Sequence, residues 1–98
     1  MVVHDYDAAG HYFIAREELE KLLKERSRKF KEIAAFFELH DRPAGEHEIV
    51  QWSANEADKL LRELRDLNTA VNTSAAEVNA YAGRAGRTSY RFHTLDKG

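Results

Sequence analysis

Residues 54–82, ANEADKLLRELRDLNTAVNTSAAEVNAYA, decide the fold of this chain. Eight positions in this stretch recur at alternating spacings of three and four residues, the a/d pattern of a heptad repeat. Such a pattern predicts one long helix that packs along a single seam against another helix. The eight positions are Ala57, Leu60, Leu64, Leu67, Val71, Ser74, Val78 and Tyr81.

The residues before this helix predict how it begins. Ser53 and Glu56 have the spacing of a capping box, in which each side chain bonds the other residue's backbone amide. Trp52 directly precedes Ser53. We therefore expect its indole to pack over the first turn and to close the loop end of the molecule. Gly83 is the expected C-terminal stop.

A second helical segment is predicted at residues 15–39, where apolar residues again recur mostly at helical spacings. The intervening segment 41–53 contains the single proline, Pro43, together with Gly45, and is predicted to be a loop. Two long helices joined by such a loop make an antiparallel hairpin. The predicted fold is therefore all-α, with residues 1–98 forming one helical-hairpin domain.

The apolar residues exceed what one two-helix seam covers. Leu22, Phe36 and Leu39 widen the stripe of the first helix, and Leu61 widens that of the second. This surplus predicts association into a helical bundle, with another copy or a homologous hairpin as the partner. Leu64 lies at the centre of the predicted seam, where an introduced charge is expected to be disruptive.

Both ends of the chain are predicted to be extended, as a head over residues 1–14 and a tail over residues 83–98. In the tail, Tyr90 and Phe92 alternate with polar residues in the period of two that suits an extended segment. Gly83 and Gly86 disfavour a third helix. We expect Tyr90 and Phe92 to contact another surface, either the head or a neighbouring chain.

Composition and motifs exclude several function classes. Cysteine is absent, which excludes disulfides and thiolate metal sites. The five histidines have no recognised ligand spacing, and no nucleophile elbow or phosphate-binding glycine loop occurs. We predict no catalytic residue, no metal and no cofactor. The net charge of -2 argues against nucleic-acid binding, and no apolar run suits membrane insertion.

The sequence around Trp52-Ser53-Ala54 resembles the Trp-Xaa-Gly family of helical hairpins in type VII secretion systems, with alanine in place of the glycine. The segment Tyr12-Phe13-Ile14 before the first helix is similar to the opening of actinobacterial members. The resemblance implies a partner or substrate of such a system that works as a homo- or heterodimeric bundle. It also implies a cytoplasmic protein, or one exported without a cleavable signal peptide. The alternatives are a structural subunit of a larger assembly such as a phage particle, and a nucleic-acid-binding hairpin.

Overall fold

Two long helices account for the ordered architecture, which we describe from a computed structural model for residues 6–95. Helix α1 spans Tyr6–His40 and helix α2 spans Ala54–Ala82. Contacts between His11 and Tyr81 and between Lys29 and Glu63 show that the helices run antiparallel. The predicted all-α hairpin is confirmed, and no strand forms between residues 6 and 95.

The hairpin is one layer of helices, with a long dimension of 79 Å and a thickness of 17 Å. Its radius of gyration is 20.0 Å, whereas a compact chain of this length has a value of about 13 Å. In a single layer, no third helix covers either face of the helix pair. Its solvent-exposed surface is accordingly large.

Helix α2 packs along the predicted heptad seam. The eight a/d positions are all buried or half-buried, and Val78 has no exposed surface. The most buried region lies where the end of α2 meets the start of α1. Its core cluster consists of Tyr12, Ala15, Leu19, Val71, Ala75, Val78 and Ala82.

Helix α1 begins at Tyr6 rather than at residue 15, so the prediction of an extended head is wrong for residues 6–14. Ala8, Tyr12 and Ala15 are buried and prolong the α1 seam by two turns. Gly10 lies inside the helix at a cost of about 1 kcal/mol relative to alanine. Burial of the neighbouring apolar side chains outweighs that cost. The remaining predicted head, residues 1–5, lies outside the described residues.

The seam of α1 contains polar residues between two apolar blocks. Arg26 and Lys29 occupy seam positions and are half-buried. The Arg26 guanidinium donates to Asn68 Oδ1 at 2.9 Å, and Lys29 Nζ donates to Glu63 Oε1 at 3.3 Å. These two contacts form a polar layer that separates the core cluster from a smaller block around Ile33 and the loop end. The α1 seam positions are Ala8, Tyr12, Ala15, Leu19, Leu22, Arg26, Lys29, Ile33, Phe36 and His40.

The loop between the helices spans residues 41–53, as predicted, and every one of its residues is exposed. His40 closes α1, because its Nδ1 lies 2.8 Å from the Phe36 carbonyl oxygen. His47 has a φ of 66°, the left-handed conformation that a non-glycine residue adopts mainly in turns. Gly45 accepts a backbone hydrogen bond from Glu48 in the same turn.

Candidate protein interaction surface

The two faces of the hairpin differ in chemistry. Residues seven apart lie on the same side of a helix in a heptad arrangement. One flank of α1 repeats an acid in this way, at Glu18, Glu25 and Glu32. The opposite flank repeats Leu23, Phe30 and Phe37. One face of the hairpin is therefore acidic and the other is apolar along α1.

Lys29 forms one ion pair within α1 and one across the seam on the acidic face. Lys29 Nζ lies 2.9 Å from Glu32 Oε2 and 3.3 Å from Glu63 Oε1. The Lys29 side chain is only 16% exposed, and its hydrogen bond to Glu32 raises the pKa of the ammonium group above the usual value. Two acids of this face, Glu32 and Glu63, therefore share the Lys29 ammonium group within the hairpin.

The tail lies on the apolar face. After α2 the chain turns through residues 83–86, where Gly86 has a φ of 69° and Arg87 N donates to the Ala82 carbonyl oxygen at 2.8 Å. This is the hydrogen bond of a Schellman motif, for which glycine provides the left-handed residue. The helical stop is therefore completed at Gly86, three residues beyond the predicted Gly83, which itself has helical dihedral angles.

Asn79 holds the tail against the helices. Its amide nitrogen donates to the Tyr90 carbonyl oxygen at 2.9 Å, and its Oδ1 accepts from the Tyr90 amide at 2.7 Å. This pair of bonds satisfies both backbone groups of Tyr90, whose ring packs against the core cluster. Arg87 adds a second contact by lying 5.0 Å from the centre of the Phe13 ring.

From Tyr90 to Leu95 the tail follows the groove between the helices. This groove is lined by Leu19 and Leu23 of α1 and by Val71 and Ala75 of α2, and it reaches Arg26 and Asn68 at its far end. Residues 87–95 form no helix, as predicted, and they lie beside the helices of their own chain. The tail does contact the predicted head, because Arg87 lies on the Phe13 ring and residues 87–91 border Tyr12. The head is helical there rather than extended, so the prediction of an extended head beside the tail is wrong.

Beyond the tail, the same face exposes large apolar side chains. Phe30 is 52% exposed, Phe37 42% and Leu61 46%. Leu61 belongs to this face because it lies one and two heptads before Asn68 and Ala75, which line the tail groove. We call Phe30, Phe37 and Leu61 the loop-end patch. Ile49, Val50 and Trp52 of the adjacent loop are also exposed.

The predicted interface residues do not form one surface. Leu22, Phe36 and Leu64 are half-buried in the seam of the hairpin itself. Leu39 is 55% exposed but continues the flank of Glu18, Glu25 and Glu32. Among the predicted interface residues of the helices, only Leu61 belongs to the loop-end patch. In the tail, Tyr90 is half-buried and Phe92 is 59% exposed.

The predicted closure of the loop end is also wrong within the single chain. Trp52 is 55% exposed, because a one-layer hairpin offers no third element against which the indole could be buried. Ser53 has the extended backbone of an N-cap residue, but its side chain makes no capping hydrogen bond. Ser53 and Glu56 are both exposed, so water competes for these polar groups and the capping box does not form.

The described residues contain few features suited to other chemistry. No group of three histidines, aspartates or glutamates between residues 6 and 95 is placed to hold a metal ion. Neither described helix is long and apolar enough to cross a membrane. Arg26 and Arg87 each face an aromatic ring of this chain. The loop-end patch is therefore the strongest candidate for a functional surface.

We expect Asn79→Ala to release the tail without unfolding the helices. Both Tyr90 backbone groups would lose their partners, at a cost of roughly 1–3 kcal/mol. Limited proteolysis should cut the variant faster between residues 87 and 95, while the far-ultraviolet circular dichroism stays nearly unchanged. Asn72→Ala is the matched control, since Asn72 is an exposed asparagine on the same groove. Equal cleavage of both variants would contradict the role given to Asn79.

Comparison with known proteins adds no assignment to this geometry. No protein-family model, no curated protein and no solved structure matches the chain.

Proposed function

We propose that this chain is a non-catalytic interaction module whose loop-end patch packs against a second helical hairpin to form a helical bundle. The observation that carries the proposal is the row of Phe30, Phe37 and Leu61, which continues the tail groove and is roughly half exposed. Contiguous apolar surface of this kind, rimmed by polar residues, is typical of protein interaction sites.

The total surface of the chain supports the same proposal. Its solvent-accessible area is 8149 Å², whereas a compact monomer of this mass exposes about 5,700 Å². The surplus is larger than the roughly 1,200–2,000 Å² that a standard protein interface buries. The chain can therefore bury a standard interface on one face while its opposite face stays in contact with water.

The finer setting that we propose is a type VII-like secretion system, in which the bundle would be a partner or a substrate. Its support is the outline of two long helices joined by a loop that carries Trp52 directly before Ser53 and α2. Dependence of its location on the secretion ATPase of its host would test this setting. Recovery of the chain in purified virions would instead favour the structural-subunit alternative, and salt-dependent binding to DNA or RNA would favour the nucleic-acid alternative.

Sedimentation across a wide concentration range tests the interaction module itself. We expect a concentration-dependent oligomer, and we expect Phe37→Lys to weaken it by a factor of about 10 or more because the patch then carries a charge that pairing must desolvate. Ile14→Lys is the matched control, since Ile14 is 69% exposed elsewhere on α1.

Two results together would overturn the proposal. The first is a monomer at every concentration. The second is strong amide-exchange protection throughout α1 and α2 in that monomer, which would show that the hairpin needs no partner.

A further inference from the structure

We infer that the partner is a second copy of this chain, docked antiparallel and staggered so that a two-fold axis passes beside Leu61. This inference rests on the proposed function and adds the identity of the partner, the face and the register. A two-fold interface uses the same patch on both copies, so the patch must be complementary to itself.

Helix α2 has this self-complementarity. One shallow depression on its surface has an acid three residues before Leu61 and bases one and four residues after it. The lining residues are Asn55, Asp58, Leu61, Arg62 and Arg65. When two copies of α2 run antiparallel with Leu61 against Leu61, Asp58 lies within one residue of the partner's Arg65, and Arg65 lies within one residue of the partner's Asp58. The pairing thus gives two attractive charge contacts around an apolar centre.

Helix α1 gives the same register independently. Phe30 and Phe37 are one heptad apart, so an antiparallel pair of α1 helices centred between them places Phe30 against the partner's Phe37. The midpoint falls beside Ala34, which is exposed and small enough to let two helices approach closely.

Both centres lie at the same height along the hairpin. The seam contacts Lys29–Glu63 and Arg26–Asn68 place residues 33 and 34 across from residues 59 and 60. The α1 centre is therefore within about two residues of Leu61, or roughly 3 Å along the helix at 1.5 Å per residue. A single two-fold axis can consequently relate the two copies of α1 and the two copies of α2.

The tail explains why the copies are staggered. It forms one wall of the groove over the core cluster as far as Arg26 and Asn68, so a partner helix reaches only the loop-end half of the face without displacing the tail. In the proposed register the loop of the partner arrives just beyond this point. Its exposed Val50 and Trp52 then face Phe92 and Leu95 of the tail, of which Leu95 is 91% exposed.

The acidic face cannot form the contact between the two copies, because it carries repeated negative charges. Glu18, Glu25 and Glu32 repeat along α1 there. Any two-fold pairing of that face would bring equal charges together and desolvate them, which is unfavourable.

A cysteine cross-link tests the register directly, because the natural chain contains no cysteine. Leu61→Cys should form a covalent dimer in a glutathione redox buffer. Residues on the two-fold axis lie close to their own copies, and a disulfide needs a Cα–Cα separation of about 4.4–6.8 Å. Lys59→Cys, exposed two residues away and pointing to another side of α2, should stay largely monomeric in the same buffer. Equal cross-linking of both variants would overturn the register.

Charge reversal provides a second test. Asp58→Arg and Arg65→Asp should each weaken self-association on the order of 10-fold, because each variant places equal charges opposite one another. An equimolar mixture of the two should associate like the unmodified chain, since each variant then faces its complement. Lys59→Glu is the control for reversing a charge outside the patch, and circular dichroism checks that every variant stays helical.

The outcomes separate this inference from the proposed function. Suppose that the chain self-associates, that Phe37→Lys weakens the association and that neither charge reversal does. The proposed function then holds, but the inferred register is wrong. A chain that associates only with a different protein refutes the second copy as partner. Restoration in the mixture cannot come from helix stability, because each helix keeps its own substitution there.

Discussion

Replacing Val78 with aspartate should unfold the hairpin. Val78 has no exposed surface and lies in the core cluster between Ala75 and Ala82. An unpaired carboxylate there costs about 4 kcal/mol or more, a large part of the roughly 5–10 kcal/mol expected for a chain of this size. Urea denaturation followed by circular dichroism should show loss of the cooperative transition, or a chain already unfolded in buffer.

Ala76→Asp is the matched control for this substitution. Ala76 is exposed two residues earlier on α2, so the same side chain enters the same helix with its carboxylate in water. We expect a loss below about 1 kcal/mol, mostly from helix propensity. If both variants lost the same stability, burial at Val78 would not be what holds the hairpin together.

The second large effect is expected for Leu19→Ala. Leu19 is 1% exposed, and it contacts α2 on one side while lining the groove beneath the tail on the other. Truncation of a buried leucine costs about 3–5 kcal/mol when the cavity stays open. The tail can settle partly into the space, so we expect about 3 kcal/mol from the shift in the urea midpoint at unchanged slope.

Ile14→Ala makes the comparison within the same helix. It also removes a large aliphatic side chain, but Ile14 is 69% exposed. Its expected cost is below about 1 kcal/mol. A Leu19 variant no less stable than this one would mean that the two helices do not pack at that level.

Helix α2 could be predicted from the sequence because its seam is apolar almost throughout. From Ala57 to Val78 the heptad positions carry mostly aliphatic side chains, so the period is visible directly. The bounds of α2 and of the loop 41–53 agree with the prediction. Burial along one continuous stripe is the strongest signal that a sequence contains about a helix.

Helix α1 was harder to predict because two of its seam positions are charged. Arg26 and Lys29 interrupt the apolar period, and the prediction consequently placed Phe36 and Leu39 in the surplus face. In the structure Phe36 belongs to the seam, while the neighbouring Phe37 is 42% exposed. The hydrogen bonds to Asn68 and Glu63 make these positions tolerable, and each partner lies on the other helix, more than 30 residues away.

The tail shows a second limit of prediction. Its lack of helix follows from Gly83, Gly86 and the β-preferring residues after them. Its position depends on Asn79, which in the sequence is an ordinary polar residue on a helix flank. The two bonds between the Asn79 side chain and the Tyr90 backbone depend on one orientation of one amide. No periodicity contains that information.

The polar layer at Arg26 and Lys29 has a consequence for how a single copy fluctuates. It divides the seam into a larger block near the chain ends and a smaller one beside the loop, where Ile33, Ala57 and Leu60 are the buried apolar residues. An ordinary hairpin frays at its free ends. Here the weaker block lies at the closed end, so backbone amides on either side of the loop should exchange with deuterium sooner than those around Leu19 and Val78. The turn that connects the helices is then the part that opens first, while the core cluster around Leu19 and Val78 keeps the opposite end of the hairpin packed.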